Sequence, residues 1–112
     1  MKLITVVVRQ AAFDALKEAL ALFGVRGMTV EEVYRTSDRT AHVEIYRGQR
    51  FASDVERCLK IDVLAPDDES PDLSRVIGRI IGTADPVGGR SWITPVDLAV
   101  RVRTSEYGLD AL

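Results

Sequence analysis

The chain has 112 residues, 46% apolar and 29% charged, with a formal net charge of −2. That is the length of one soluble domain with a core of its own, and the slightly acidic balance argues against nucleic acid, whose binders neutralise phosphates with an excess of Lys and Arg. No apolar run approaches the ~20 residues needed to cross a bilayer, and a lone Cys58 and a lone His42 offer neither an internal disulfide nor a zinc-ligand cluster, as expected of a metal-free cytoplasmic protein.

The elements follow in order. Leu3 to Arg9 is β-branched and apolar and predicts a buried central strand, so Met1 to Val8 reads as structure rather than as a signal peptide. Ala11 to Phe23 predicts a helix, with Phe13, Leu16, Leu20 and Phe23 on one face and Gly24 as its stop. Met28 to Tyr34 and His42 to Arg47 predict strands, separated by the polar segment Arg35 to Ala41 and followed by the polar stretch Gly48 to Arg57. Leu59, Ile61 and Val63 alternate with Lys60 and Asp62 as a further strand. Asp67, Asp68 and Glu69 place acid before a helix capped by Ser70 and started by Pro71, whose buried stripe is Leu73, Val76, Ile77, Ile80 and Ile81. The turn Gly88-Gly89-Arg90 precedes a last strand, Leu98 to Thr104, in which Val100 and Val102 fill one face while Arg101 and Arg103 project from the other. Three guanidiniums beside flexible backbone N–H groups suit a phosphate or carboxylate.

The order is β-α-β-β-α-β with an extra extended hairpin. Right-handed crossovers make this an α+β, ferredoxin-like sandwich, with both helices on one face of a sheet. The other face also carries apolar residues, and self-association is the simplest way to cover it.

Gly27-Met28-Thr29-Val30, His42 to Gly48, Pro66-Asp67-Asp68, Val96-Asp97 and Arg101-Val102-Arg103-Thr104 resemble signatures of the PII signal-transduction family, and Asp110-Ala111-Leu112 resembles the tail of its actinobacterial members. The resemblance runs nearly end to end. It implies one PII-like domain over residues 1–112, a homotrimer, adenine-nucleotide clefts between subunits and a protruding T-loop that docks on a transporter, enzyme or regulator. Carried onto this chain, the nucleotide residues are Thr29, Asp62, Leu64, Gly88, Gly89, Arg90, Arg101 and Arg103. The partner-binding T-loop residues are Thr36, Ser37, Asp38, Arg39, Arg47, Gln49, Arg50 and Phe51.

Several positions depart from the family pattern. Its T-loop opens with a glycine-rich run and then arginine, glutamine, lysine and glycine, whereas this chain reads Tyr34-Arg35-Thr36-Ser37-Asp38-Arg39-Thr40-Ala41. Arg39 replaces the glutamine that helps hold Mg-bound 2-oxoglutarate, and Cys58 replaces the lysine that pairs with it; a cation cannot coordinate a metal, and a thiol cannot supply an ammonium. Phe51 replaces the tyrosine that nucleotidyltransferases modify. The phosphate-binding B-loop, Thr-Gly-Lys-Ile-Gly-Asp-Gly-Lys in the family, reads Thr83-Ala84-Asp85-Pro86-Val87-Gly88-Gly89-Arg90. Pro86 lacks an N–H and Asp85 is expected to repel phosphate, while Arg90 keeps the charge of the lysine.

Cys58 has Arg57 and Lys60 nearby in sequence, which would lower a thiol pKa if they lay close; an inert substitution is the simpler reading. Tyr46, His42 and Trp92 read as packing or local hydrogen bonding, and the acidic run as a helix-dipole feature. With one histidine and no nucleophile–base pair, an enzyme ranks last. The expectation is a divergent, non-enzymatic regulator that binds ATP, ADP or AMP weakly or with altered preference, without 2-oxoglutarate sensing or T-loop modification. The alternative is a constitutive trimeric adaptor.

Overall fold

A strand of valines and isoleucine belongs inside a sheet, and β1 (Lys2–Arg9) lies there. The computed structural model describes residues 1–36 and 55–112 in full, and of residues 42–46 and 49–53 the backbone. After β1 come α1 (Phe13–Phe23), β2 (Thr29–Thr36), a hairpin of β3 (His42–Tyr46) and β4 (Gln49–Ser53), then β5 (Val55–Ala65), α2 (Ser70–Ala84), β6 (Arg90–Pro95), and the short strands β7 (Val100–Arg101) and β8 (Glu106–Tyr107). The main sheet runs β2-β5-β1-β6, antiparallel throughout. With two helices inserted at the crossovers, this is the ferredoxin-like arrangement.

The core lies between the helices and one sheet face. Ile4, Val6 and Val8 from β1 and Ile61, Val63 and Ala65 from β5 meet Leu16 and Leu20 of α1 and Leu73 and Ile77 of α2, all buried. The three- and four-residue spacing of the helical members and the two-residue spacing of the strand members are the periods of one buried face in each element. Removing such a leucine to alanine costs about 2–5 kcal/mol, since the void does not fully collapse. Gly24 closes α1 at φ 106°, where its N–H reaches the carbonyl of Ala21 at 3.1 Å. Ser70 sits inside α2 rather than at its cap: the cap position is Glu69, and the Ser70 hydroxyl donates to the Asp67 carbonyl at 3.1 Å.

The predicted last strand is corrected. The sheet's fourth strand is β6, paired with β1 from Lys2↔Pro95 to Val7↔Arg90. Leu98 to Thr104 lies beyond it, and only Val100 and Arg101 are extended, paired with Tyr107 and Glu106. Residues 102–105 form a turn, with Ser105 at φ 59° and its N–H on the Arg101 carbonyl at 2.8 Å. With β6 already on the edge of β1, Val102 has no sheet to pack on and is 90% exposed. Arg101 and Arg103 therefore do not share a strand face.

The sheet face away from the helices is mixed rather than uniformly apolar. Strand register sets side chains in rows across it. One row is Thr29, Asp62, Thr5 and Trp92; the next is Glu31, Lys60, Val7 and Arg90; beyond it come Val33, Cys58 and Arg9, and then Arg35 with Glu56. Among the described residues, no helix is long and apolar enough to cross a membrane.

Candidate functional site

The open sheet face collects part of the expected nucleotide set. Thr29 and Asp62 are direct cross-strand partners. The Thr5 hydroxyl donates to Asp62 at 2.6 Å, which fixes that carboxylate in the middle of its row. Leu64 is on the same face, two residues along β5, and Arg90 on β6 is one row in the other direction. Trp92 stands in the Thr29–Asp62 row and is 46% exposed, so packing within the chain does not account for it.

The remaining arginines lie elsewhere. Arg101 is in the C-terminal segment, and its Nη2 donates to the carbonyl oxygens of Ala111 and Leu112 at 3.3 and 3.0 Å. Arg103 sits exposed in the turn after β7. Within one chain the structure does not bring Arg101 or Arg103 onto the sheet face that carries Arg90.

The loop after α2 departs most from expectation. Asp85 does not face solvent as a phosphate-repelling charge. It is fully buried at the end of α2. Its carboxylate accepts the Arg9 backbone N–H at 2.9 Å and Arg35 Nη1 at 3.1 Å, and Arg9 Nε lies 3.4 Å away. Burial pushes this carboxyl upward, but the Arg9 N–H and the two guanidiniums outweigh it and hold it below the usual range. Arg35 also donates to the Gly88 carbonyl and to Glu56, each at 2.8 Å.

Both glycines lie in close approach, Gly88 to the Arg35 guanidinium and Gly89 to Ile81 and the Asp85 backbone. A Cβ on Gly88 would meet Arg35 Nη2 at 2.6 Å, and one on Gly89 would meet Ile81 Cγ2 at 2.3 Å. The Gly89 N–H, expected to face a phosphate, donates instead to the Asp85 carbonyl at 3.0 Å.

Cys58 belongs to the same cluster. It is fully buried. Burial pushes its thiol up, while the Arg35 guanidinium pulls the other way without prevailing. The cations expected to act on it are engaged elsewhere: Arg57 with Glu32, and Lys60 with Glu31. The thiol is therefore not activated, which agrees with the inert reading.

Sequence reasoning missed Arg35, Arg9 and Glu56 as members of the site. The available signal was the arginine in a run where glycines were expected, paired with an acid where a lysine was expected. Of the expected T-loop residues, Thr36 ends β2 and is exposed. Gln49, Arg50 and Phe51 lie on β4 by backbone, and Ser37, Asp38, Arg39 and Arg47 lie outside the described residues. A concavity of about 410 Å³ opens between Pro66-Asp67-Asp68 and Val96-Asp97. Its three carboxylates disfavour a polyphosphate. Among the described residues, no cluster of three or more candidate metal ligands occurs.

Comparison with known proteins agrees with this architecture. The family model described as nitrogen regulatory protein P-II matches residues 1–106. The chain is 35% identical over 115 residues to the nitrogen regulatory protein P-II of Cereibacter sphaeroides, 33% identical over 112 residues to that of Azospirillum brasilense, and 30% identical over 112 residues to the nitrogen regulatory protein GlnK of Escherichia coli K12. In each comparison both chains are covered completely. The chain belongs to the nitrogen regulatory protein P-II family, a family of signal-transduction regulators.

Proposed function

We propose that this chain is a non-enzymatic P-II regulator, a single domain over residues 1–112 that assembles as a cytoplasmic homotrimer. It binds an adenine nucleotide (ATP, ADP or AMP) between subunits and signals to a protein target through the β3–β4 hairpin. The observation that carries the reading is the row Thr29–Asp62–Thr5–Trp92 with Arg90 one row away on the same open face. Thr29 and a pre-oriented Asp62 carboxylate are polar groups suited to a base or ribose, Leu64 adds apolar contact, and Trp92 offers a stacking surface. Arg90 supplies a cation for phosphate, and Arg101 and Arg103 complete the anion site from their own segment. The partner surface is the hairpin, with Thr36, Ser37, Asp38, Arg39, Arg47, Gln49, Arg50 and Phe51. No metal takes part: Arg39 and Cys58 stand where a metal-bound 2-oxoglutarate would need an amide and an ammonium.

A specific observation favours the second reading, a constitutive trimeric adaptor. The Gly89 N–H already donates to the Asp85 carbonyl within the chain, which leaves the B-loop one donor fewer for a phosphate. Calorimetric titration with ATP, ADP and AMP decides between them. Saturable heat with one site per subunit supports the sensor; silence with all three, from a protein of trimeric mass by light scattering, replaces it with the adaptor.

A further inference from the structure

Asp85 and Arg35 are 50 residues apart in sequence, yet their side chains are 0% and 9% exposed in one cluster. Two donors, the Arg9 backbone N–H and Arg35 Nη1, converge on Oδ2 of the Asp85 carboxylate, and the Arg9 guanidinium stands 3.4 Å from Oδ1 as an ion pair without a hydrogen bond. A backbone N–H with two guanidiniums is a setting that would hold a small free anion. Here a side chain at the end of α2 fills it. Glu56 balances the second positive charge from β5, and Gly88 presses its backbone against the Arg35 guanidinium. Arg35 and Glu56 lie on β2 and β5 where these strands lead to the hairpin.

We propose that Asp85 is a built-in anion, and that with Arg35 and Arg9 it latches the hairpin stem (β2 and β5) to the loop after α2 without any ligand. A stem held by the chain's own carboxylate is fixed against the loop after α2 before any ligand arrives. The receptor is general for a small carboxylate: once Asp85 is cut back, formate should occupy its place.

The test is hydrogen exchange and thermal unfolding of the full chain, in chloride and in formate of equal ionic strength. In Asp85→Ala, the amides of residues 33–36 and 87–90 should exchange at least about tenfold faster than in wild type. Formate should slow them again and raise the melting temperature. It should do neither for wild type or for Arg35→Ala plus Asp85→Ala. Arg35→Ala alone leaves Asp85 on Arg9 and should loosen the same amides, with the double variant no looser than the single ones, as coupled partners require. Wild-type exchange of the stem in Arg35→Ala would overturn the latch. So would a formate effect of equal size with and without Arg35. Should Asp85→Ala fail to fold, exchange in Arg35→Ala decides alone. None of these readouts involves a nucleotide, so failure of the latch and failure of nucleotide binding are separate results.

Discussion

Gly88→Ala and Gly89→Ala make the same change at adjacent positions and should fail in different ways. Neither glycine has a positive φ, so the effect is one of space and not of backbone strain. At Gly88 the new methyl meets Arg35 Nη2 at 2.6 Å, Cζ at 2.7 Å and Nη1 at 3.1 Å. The guanidinium must retreat by roughly 1 Å to regain ordinary contact, and its bonds at 2.8 Å to Glu56 and 3.1 Å to Asp85 do not survive that. Each such charge-assisted bond is worth about 1.5–3 kcal/mol net. Released into water, Arg35 recovers part of this, and Asp85 keeps Arg9, so the loss should be about 2–3 kcal/mol. For a domain of this size that lowers the melting temperature by roughly 8–13 °C. At Gly89 the methyl meets Ile81 Cγ2 at 2.3 Å and the Asp85 carbonyl at 2.8 Å. Neither group can swing into solvent, and overpacking costs about 1–3 kcal/mol or more, yet Arg35 keeps its partners. Calorimetry should find both variants destabilised. Hydrogen exchange should find the β2 stem loosened in Gly88→Ala alone. A Gly88→Ala protein with wild-type melting and wild-type stem exchange would refute the reasoning, because Arg35 would then have left its place at no cost.

Arg101→Ala plus Arg103→Ala should leave the fold intact, since both residues are exposed outside the main sheet; titration calorimetry should show nucleotide affinity falling by about 100-fold or more if each arginine contributes a phosphate bond. Adding 2-oxoglutarate with Mg-ATP should not tighten ATP binding. Cys58 is buried and its thiol is not activated, and an effector without differential contacts shifts no equilibrium. A clear shift in ATP affinity would contradict this. Asp85 titrates below its ordinary value of 3.8 in the folded protein. Its stabilisation is therefore complete above that value and is lost as pH falls through the lower folded one. Urea unfolding of wild type and Asp85→Asn should differ at about pH 6, and the difference should shrink as pH falls below 3.8 and through the lower folded-state value.

The fold was legible where a single face decides the element. Leu16 and Leu20, Leu73 and Ile77, and the alternation through Ile61 and Val63 each follow a period that only one arrangement buries. The C-terminal segment was not, because Val100-Arg101-Val102-Arg103 has a strand's alternation without a vacant sheet edge to join. The edge beside β1 was already taken by Arg90–Pro95, and strand pattern says nothing about which of two candidates wins that place. Thr29 and Asp62, the residues proposed for the adenine side, were named through family resemblance, and strand register makes them direct neighbours. Arg101 and Arg103 were named the same way, but one chain does not bring them to that face.

The latch was hidden for a different reason: it is made of two departures, and each alone points the wrong way. An arginine in a glycine-rich stretch reads as one more surface charge of a loop, and an acid in a phosphate loop reads as repulsion. Placed 3.1 Å apart and buried, they cancel. Burying either charge alone would be strongly destabilising, whereas the pair with Arg9 and Glu56 is balanced at two charges of each sign. The substitutions are therefore intelligible only jointly, and restoring one of them should harm the protein more than restoring both. Arg35→Gly leaves Asp85 with Arg9 alone, and Asp85→Lys drives a third cation between Arg9 and Arg35. Two distant positions that must change together are what a ligand-independent contact between the hairpin stem and the loop after α2 requires.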